Sequence, residues 1–259
     1  MANIDDAFRI EKLSLNDNII IVEGAIDPST VGYEAPIGSL YFVSSSSEGD
    51  VFHKIGVLDT NWTKFQNNLE LYTENFSTPT PPFASGVNSV AIGSGAQTLA
   101  NNSLAIGDQS LARIPNSIVS SGGRFGSAGD AQSGKYFLRT TTINGNPTEA
   151  FIDGTNGSIR LALTDDSTWS FSIMVTAHQT NGAGRAGYKF EGVIYREAGA
   201  NTVSFQGFPI KTILAESDPI WDANIQTDII NGSLNLTVVG ETGKTIRWLG
   251  VIDTVELTN

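Results

Sequence analysis

The sequence predicts an all-β fold, and three observations carry that prediction. Two near-identical stretches, NSVAIGSGAQTLAN and NSLAIGDQSLARIP, stand one after the other at a spacing of 14 residues. Apolar and polar residues alternate in several runs through the second half of the chain, the period of a half-buried strand. Turn formers recur at short intervals, as at Asp153-Gly154, Asn156-Gly157 and Asn231-Gly232. Charged residues make up only 16% of the 259 residues, against about 25% in an ordinary soluble domain. Solubility therefore falls to Ser, Thr, Asn and Gly.

Residues 1–70 read as a small N-terminal β-domain. Ile19–Val22 is an apolar run, Pro36-Ile37-Gly38 a turn, Ser39–Val43 a strand, and Ser44–Asp50 a serine-rich loop. Val51–Val57 returns as a second strand, and Trp62 and Phe65 are expected to close the unit. The segment is acidic, with 11 Asp and Glu against 4 Lys and Arg. Residues 71–87 hold Pro79, Pro81 and Pro82 and read as an extended linker, because proline fixes φ and donates no ladder bond.

Residues 88–119 hold the repeat. Asn88, Ser89, Ala91, Ile92 and Gly93 return as Asn102, Ser103, Ala105, Ile106 and Gly107, and Val90 is matched by Leu104. A degraded third start appears at Asn116-Ser117-Ile118-Val119. A unit this short cannot bury its apolar face alone, so it must stack on its neighbour and on other chains. Residues 120–135 are rich in Gly and Ser and read as a hinge. Residues 136–259 carry about eight to ten short alternating strands, the pattern of a β-sandwich or jelly roll. In that reading Trp169, Phe171, Ile173 and Val175 share one face, as do Leu234, Leu236 and Val238, and Leu249, Val251, Val255 and Leu257. Trp221 falls in a longer polar connection.

The SVAIG and SLAIG motifs resemble the head repeat of trimeric autotransporter adhesins. That resemblance implies a short left-handed β-roll neck and a homotrimer, with Val90, Ala91, Ile92, Gly93, Leu104, Ala105, Ile106 and Gly107 as the repeat and trimerisation residues. Arg113 and Pro115 interrupt the second copy. The run APIGSLYFVSSSSEGDVFHKIGVLDTNWTKF resembles a segment near the N-termini of phage fibre proteins. Residues 124–259, with GDAQSGKYFLR and TGKTIRWLGVIDTVEL among their cues, resemble a C-terminal domain of phage fibre and structural proteins. Both resemblances imply a virion component.

Several classes of chemistry are disfavoured. A formal net charge of −12 argues against a nucleic-acid partner, whose phosphates need clustered Lys and Arg. The absence of cysteine excludes disulfides and thiolate metal sites, and the two histidines, His53 and His178, stand far apart. No cofactor or metal is expected. Asp5, Asp6 and Glu11 at the start do not suit a signal peptide, and Ile19–Val22 is too short for membrane insertion. Gly240–Thr245 echoes a P-loop, but its first glycine would fall at Val238 and the next element is a strand instead of a helix, so it reads as a hairpin turn. Asp165/Asp166 and Asp218/Asp222 are the carboxylate pairs that glycan cleavage would need, yet both read as turn formers. His53 and His178 read as ordinary strand residues, and Tyr188, Tyr195, Phe208 and Trp221 as core.

The expectation is a non-enzymatic, trimeric fibre of a bacteriophage virion. Residues 1–70 would dock on other virion proteins, and the C-terminal sandwich would meet the host surface, where a glycan is the natural partner. A capsid decoration protein without receptor binding, or a glycan-cleaving tailspike, are the alternatives.

Overall fold

The computed structural model describes residues 12–15, 19–44, 50–65, 69–71, 78 and 80–259. Among these residues every helix or strand is a strand, as an all-β fold requires. The chain divides into two compact units, residues 1–67 and 68–259.

The first unit is one five-stranded sheet, β1 (Lys12–Leu15), β2 (Ile19–Gly24), β3 (Leu40–Val43), β4 (Val51–Lys54) and β5 (Trp62–Lys64), paired in that order. β2 and β3 run parallel, and the other neighbours are antiparallel. Alternate residues Val22, Tyr41, Val43, Phe52 and Trp62 point into one core. Tyr33, Tyr41 and Trp62 meet there edge to face, with centroids 5.2 to 6.3 Å apart. β4 ends at Lys54, sooner than the alternation of Val51–Val57 suggests. The buried Lys54 ammonium donates to the carbonyls of Tyr33 and Leu58, and the Ile55 amide turns back to Asn61, so the chain leaves the sheet there. Trp62 closes the core as expected, but Phe65 stays outside it, tilted against His53. The serine tract at 45–49 lies outside the described residues.

The second unit opens with β6 (Leu69–Leu71), β7 (Phe83–Ala84), β8 (Val90–Ile92), β9 (Gln97–Thr98), β10 (Leu104–Asp108), β11 (Leu111–Ala112) and β12 (Ile118–Gly122). They form two parallel ladders, β6-β8-β10-β12 and β7-β9-β11. Val90 pairs with Leu104 and Leu104 with Ile118, while Phe83 pairs with Gln97 and Gln97 with Leu111. Each 14-residue repeat is thus one coil, contributing one strand to each ladder. The degraded third start is a full strand, and Asn88, Asn102 and Asn116 share φ values of 55°, 54° and 56°. That left-handed turn is one that asparagine tolerates better than most residues. The stretch read as a linker adds β7 to the coil, with Pro81 and Pro82 just ahead of it; Pro79 lies outside the described residues.

β13 (Ala131–Thr142), β14 (Thr148–Ala150), β15 (Leu161–Ala162), β16 (Ser167–Gln179), β17 (Arg185–Arg196), β18 (Val203–Phe205), β19 (Ile210–Glu216), β20 (Asp222–Asp228), β21 (Ser233–Val239) and β22 (Ile246–Thr258) complete the chain. β18-β17-β16-β22-β13 form an antiparallel sheet, with β19 also on β17, and β13 pairs with β12 of the repeat. One ten-stranded sheet therefore runs from the coil into the C-terminal region. Residues 120–135, read as a hinge, are crossed by that pairing, which joins Ile118 to Lys135 and Ser120 to Ser133. Only 123–130 loops out, and Asp130 ties the loop by accepting from the amides of Phe125, Gly126 and Ser127. Those amides, Ser127 and Gly126 foremost, hold its carboxyl below the usual range.

A smaller sheet, β14-β21-β15 with β20 on β21, shares one core with the large sheet. Trp169, Phe171, Ile173 and Val175 enter it from β16, and Leu234, Leu236 and Val238 from β21, as the alternation predicted. β22 has the opposite phase. Ile246, Trp248 and Ile252 face the core, whereas Leu249, Val255 and Leu257 are 44%, 64% and 51% exposed. Both faces of this strand are apolar, so its sequence pattern reads equally well either way round. Trp221 is buried beside Trp248, and its indole donates to Glu241, so it is core and not part of a polar connection. Residues 240–245 form a turn that passes from β21 in the small sheet to β22 in the large one. It is a crossing between sheets, not the closing turn of a hairpin.

Candidate functional site

The coil places the eight repeat residues in three distinct roles. Ala91 and Ala105 point inward with no exposed surface, in a column with Ala84, Ala96, Ala112 and Val119. Alanine fills every place in that column except the last, where Val119 stands. Gly93 and Gly107 turn the chain with φ of 109° and 96°. A Cβ on Gly107 would fall 2.1 Å from the carbonyl oxygen of Ser121 in the next coil, and one on Gly93 2.8 Å from that of Gly107. Val90, Ile92, Leu104 and Ile106 face away from the alanine column, and Ile118 continues the row. The outer face of the first ladder is therefore a grid of aliphatic side chains on strands about 4.8 Å apart.

Polar groups inside each coil are satisfied locally. The buried hydroxyls of Ser89, Ser103 and Ser117 each donate to a carbonyl three residues back, of Gly86, Ala100 and Ile114, at 2.6 Å. That bond explains why serine recurs directly after the left-handed asparagine.

A parallel coil must also end, and its last strand presents unpaired amides and carbonyls. Gln132 on β13 supplies the cap. Its Oε1 accepts from the Leu111 amide at 3.0 Å, and its Nε2 donates to the Leu111 carbonyl and to Glu256. The side-chain amide stands where the next coil's backbone would have been. Glu256 also accepts from Tyr136 and Thr254, both at 2.6 Å, and Tyr136 stacks flat on Trp169 at 5.9 Å. Burial, then the nearby Glu256 charge, pushes the Tyr136 phenol well above its ordinary value. Burial lowers the Arg113 guanidinium, partly offset by Glu256.

Nothing in the sequence marked Gln132 or Glu256, which lie 124 residues apart and meet only in the fold. Replacing Gln132 with leucine is expected to leave Leu111 unpaired and to lower stability by about 3 kcal/mol, at roughly 1–3 kcal/mol per orphaned group. A denaturant midpoint equal to that of the parent chain would refute the cap.

The carboxylate pairs singled out for glycan cleavage are engaged elsewhere. Asp165 accepts from the Gly199 amide and lies 3.7 Å from Arg196, and Asp166 sits in a turn with φ of 49°. Asp218 accepts from the Ile220 amide, and Asp222 pairs with Lys211. Among the described residues no group of three or more His, Cys, Asp or Glu could hold a metal. Of the aromatic residues read as core, Tyr188 and Trp221 are buried, while Phe208 is 99% exposed.

Two copies of the YadA head domain repeat match residues 84–110. No curated protein matches the chain. Among solved structures it is similar to the tailspike protein gp49 of Acinetobacter baumannii bacteriophage Fri1, a capsular polysaccharide depolymerase. That alignment has 10% identity and a TM-score of 0.30, covering 73% of this chain and 36% of that one. The tailspike of Acinetobacter baumannii phage AM24 aligns at 11% identity and TM-score 0.27, over 71% and 36%. The tailspike of Acinetobacter phage vB_ApiP_P1 aligns at 13% and 0.25, over 74% and 44%. The chain thus spans about a third of the first of these proteins, and at such scores the likeness bears on neither fold nor activity.

Proposed function

We propose that the chain is a non-enzymatic, homotrimeric fibre protein of a phage particle, docked through residues 1–70 and presenting its C-terminal region to the host surface. The observation that carries this reading is the aliphatic grid Val90, Ile92, Leu104, Ile106 and Ile118 on the outside of a coil that matches the YadA head repeat. A flat apolar sheet face is costly in water and stable once a second copy covers it. The phage assignment draws on the resemblances of residues 35–65 and 124–259. The turn and ion-pair roles of the Asp165/Asp166 and Asp218/Asp222 pairs favour attachment over cleavage. Three identical tips would add weak contacts into firm adhesion.

Light scattering of the purified chain should return three times the chain mass of 27.5 kDa. Ile106→Lys, at a position 40% exposed in the single chain, should dissociate the trimer without unfolding the monomer. A parent chain that runs as a monomer at micromolar concentration would end the proposal.

A further inference from the structure

The outer face of the large sheet carries a second feature beyond the part of β13 that pairs with the coil. Arg139 and Thr141 on β13, Arg247 and Leu249 on β22, and Thr176 and His178 on β16 form a grid of two rows across three neighbouring strands. Arg139, Leu249 and Thr176 lie opposite one another, as do Thr141, Arg247 and His178. These residues line an open groove of about 470 Å³. That volume suits one or two sugar rings, being within the roughly 300–1,000 Å³ of ligand sites.

The charge in this groove is unusual for the molecule. The chain is acidic, at −12, yet among the described residues neither the Arg139 nor the Arg247 side chain makes an ion pair or hydrogen bond. Asp153 is the acid that feels Arg139, and its oxygens are taken up by the Ser158 and Ile159 amides. Arg247 faces His178 directly and Arg139 diagonally, at cross-strand separations of about 5 and 7–8 Å. Two guanidinium groups so placed oppose each other unless an anion lies between them. Planar guanidinium forks match a carboxylate in two parallel bonds. The Thr141 hydroxyl, which accepts from Thr155 at 3.1 Å, keeps its proton to donate to a sugar oxygen, the Thr176 hydroxyl can donate or accept, and Leu249, 44% exposed, gives a ring an apolar floor.

We infer that this groove binds an acidic saccharide, its carboxylate held between Arg139 and Arg247. The inference deepens the attachment role proposed above and is independent of the trimer.

The test uses the full chain, titrated by calorimetry with polygalacturonate, dextran sulfate and neutral dextran. Polygalacturonate should bind, and Arg139→Gln and Arg247→Gln should each weaken it by about tenfold or more, the scale of a lost charged hydrogen bond. Lys189→Gln, which removes a charge already paired with Glu191, should leave binding unchanged, and neutral dextran should not bind. Equal loss from Lys189→Gln, equal binding of neutral dextran, or no binding of polygalacturonate would overturn the inference. Binding of dextran sulfate alone would replace the carboxylate with a sulfate site and so refute it as stated. Thermal midpoints of each variant separate lost binding from lost folding. Mass measured on the same samples keeps the two proposals apart. A monomer that binds ends the trimer alone, and a trimer that does not bind ends the groove alone.

Discussion

Gly107→Ala is expected to cost about 2–5 kcal/mol and to break the trimer proposed above, although it adds a single methyl group. Two effects add. At φ of 96° a side chain strains the backbone, and the new Cβ would lie 2.1 Å from the Ser121 carbonyl oxygen. That oxygen belongs to the backbone of the next coil, so no rotamer change relieves the overlap. The coils must move apart, and the shift tilts the strand that carries Leu104 and Ile106. Gly122→Ala is the matched control, because nothing lies within 4 Å of a Cβ there and its φ is not in the left-handed region. It should change stability by no more than about 0.5 kcal/mol. Urea midpoints and light scattering on the two variants decide the matter. If both behave alike, the coil spacing is not what requires glycine.

Trp248→Ala should be the most damaging change in the C-terminal core, at about 3–5 kcal/mol. The side chain is 2% exposed and lies between Tyr188 and Trp221, with centroids 6.4 and 6.1 Å away. Its indole donates to the Thr142 hydroxyl at 3.0 Å, so alanine opens a cavity and also strips a buried hydroxyl of its donor. Against a typical total of about 5–15 kcal/mol, this removes a large share of the stability. Phe208→Ser, at a 99% exposed site, should be nearly silent. Unfolding monitored by circular dichroism gives both values, and a Trp248→Ala loss below about 1 kcal/mol would contradict the packing described.

The strands legible from the sequence share one property: a single apolar face. In β16 the residues Trp169, Phe171, Ile173 and Val175 alternate with Ser170, Ser172, Met174 and Thr176, so one face is wholly apolar and the other carries a single apolar side chain. β22 offers Leu249, Val251, Val255 and Leu257 on one face against Trp248 and Ile252 on the other. A one-residue change of phase therefore alters no sequence pattern. Its phase is decided by the small sheet, whose Leu236 packs over Gly250, and by Glu256 meeting Tyr136 and Gln132 inside. Trp221 is misplaced by its sequence surroundings for a related reason. β20 has buried Ala223 but polar Asp222, Asn224 and Gln226, so its strand character comes from pairing with β21 and not from its own pattern.

The repeat is the most readable part of the chain, because its constraints are local. Asparagine at the left-handed turn, serine bonded three residues back, alanine inside and glycine under the next coil each arise from one 14-residue period. The sequence by itself thus determined an all-strand chain, the phase of the coil and the residues that build it. Only the tertiary structure decided how the coil ends and which strand extends it. Gln132 caps Leu111 across 21 residues and meets Glu256 across 124, and β13 lengthens the coil's sheet where a hinge was expected. The aliphatic grid on the coil follows from the 14-residue period, which sets Val90, Leu104 and Ile118 in register. The groove that joins Arg139 of β13, Arg247 of β22 and Thr176 of β16 exists only through cross-strand register between distant segments, which no local period encodes.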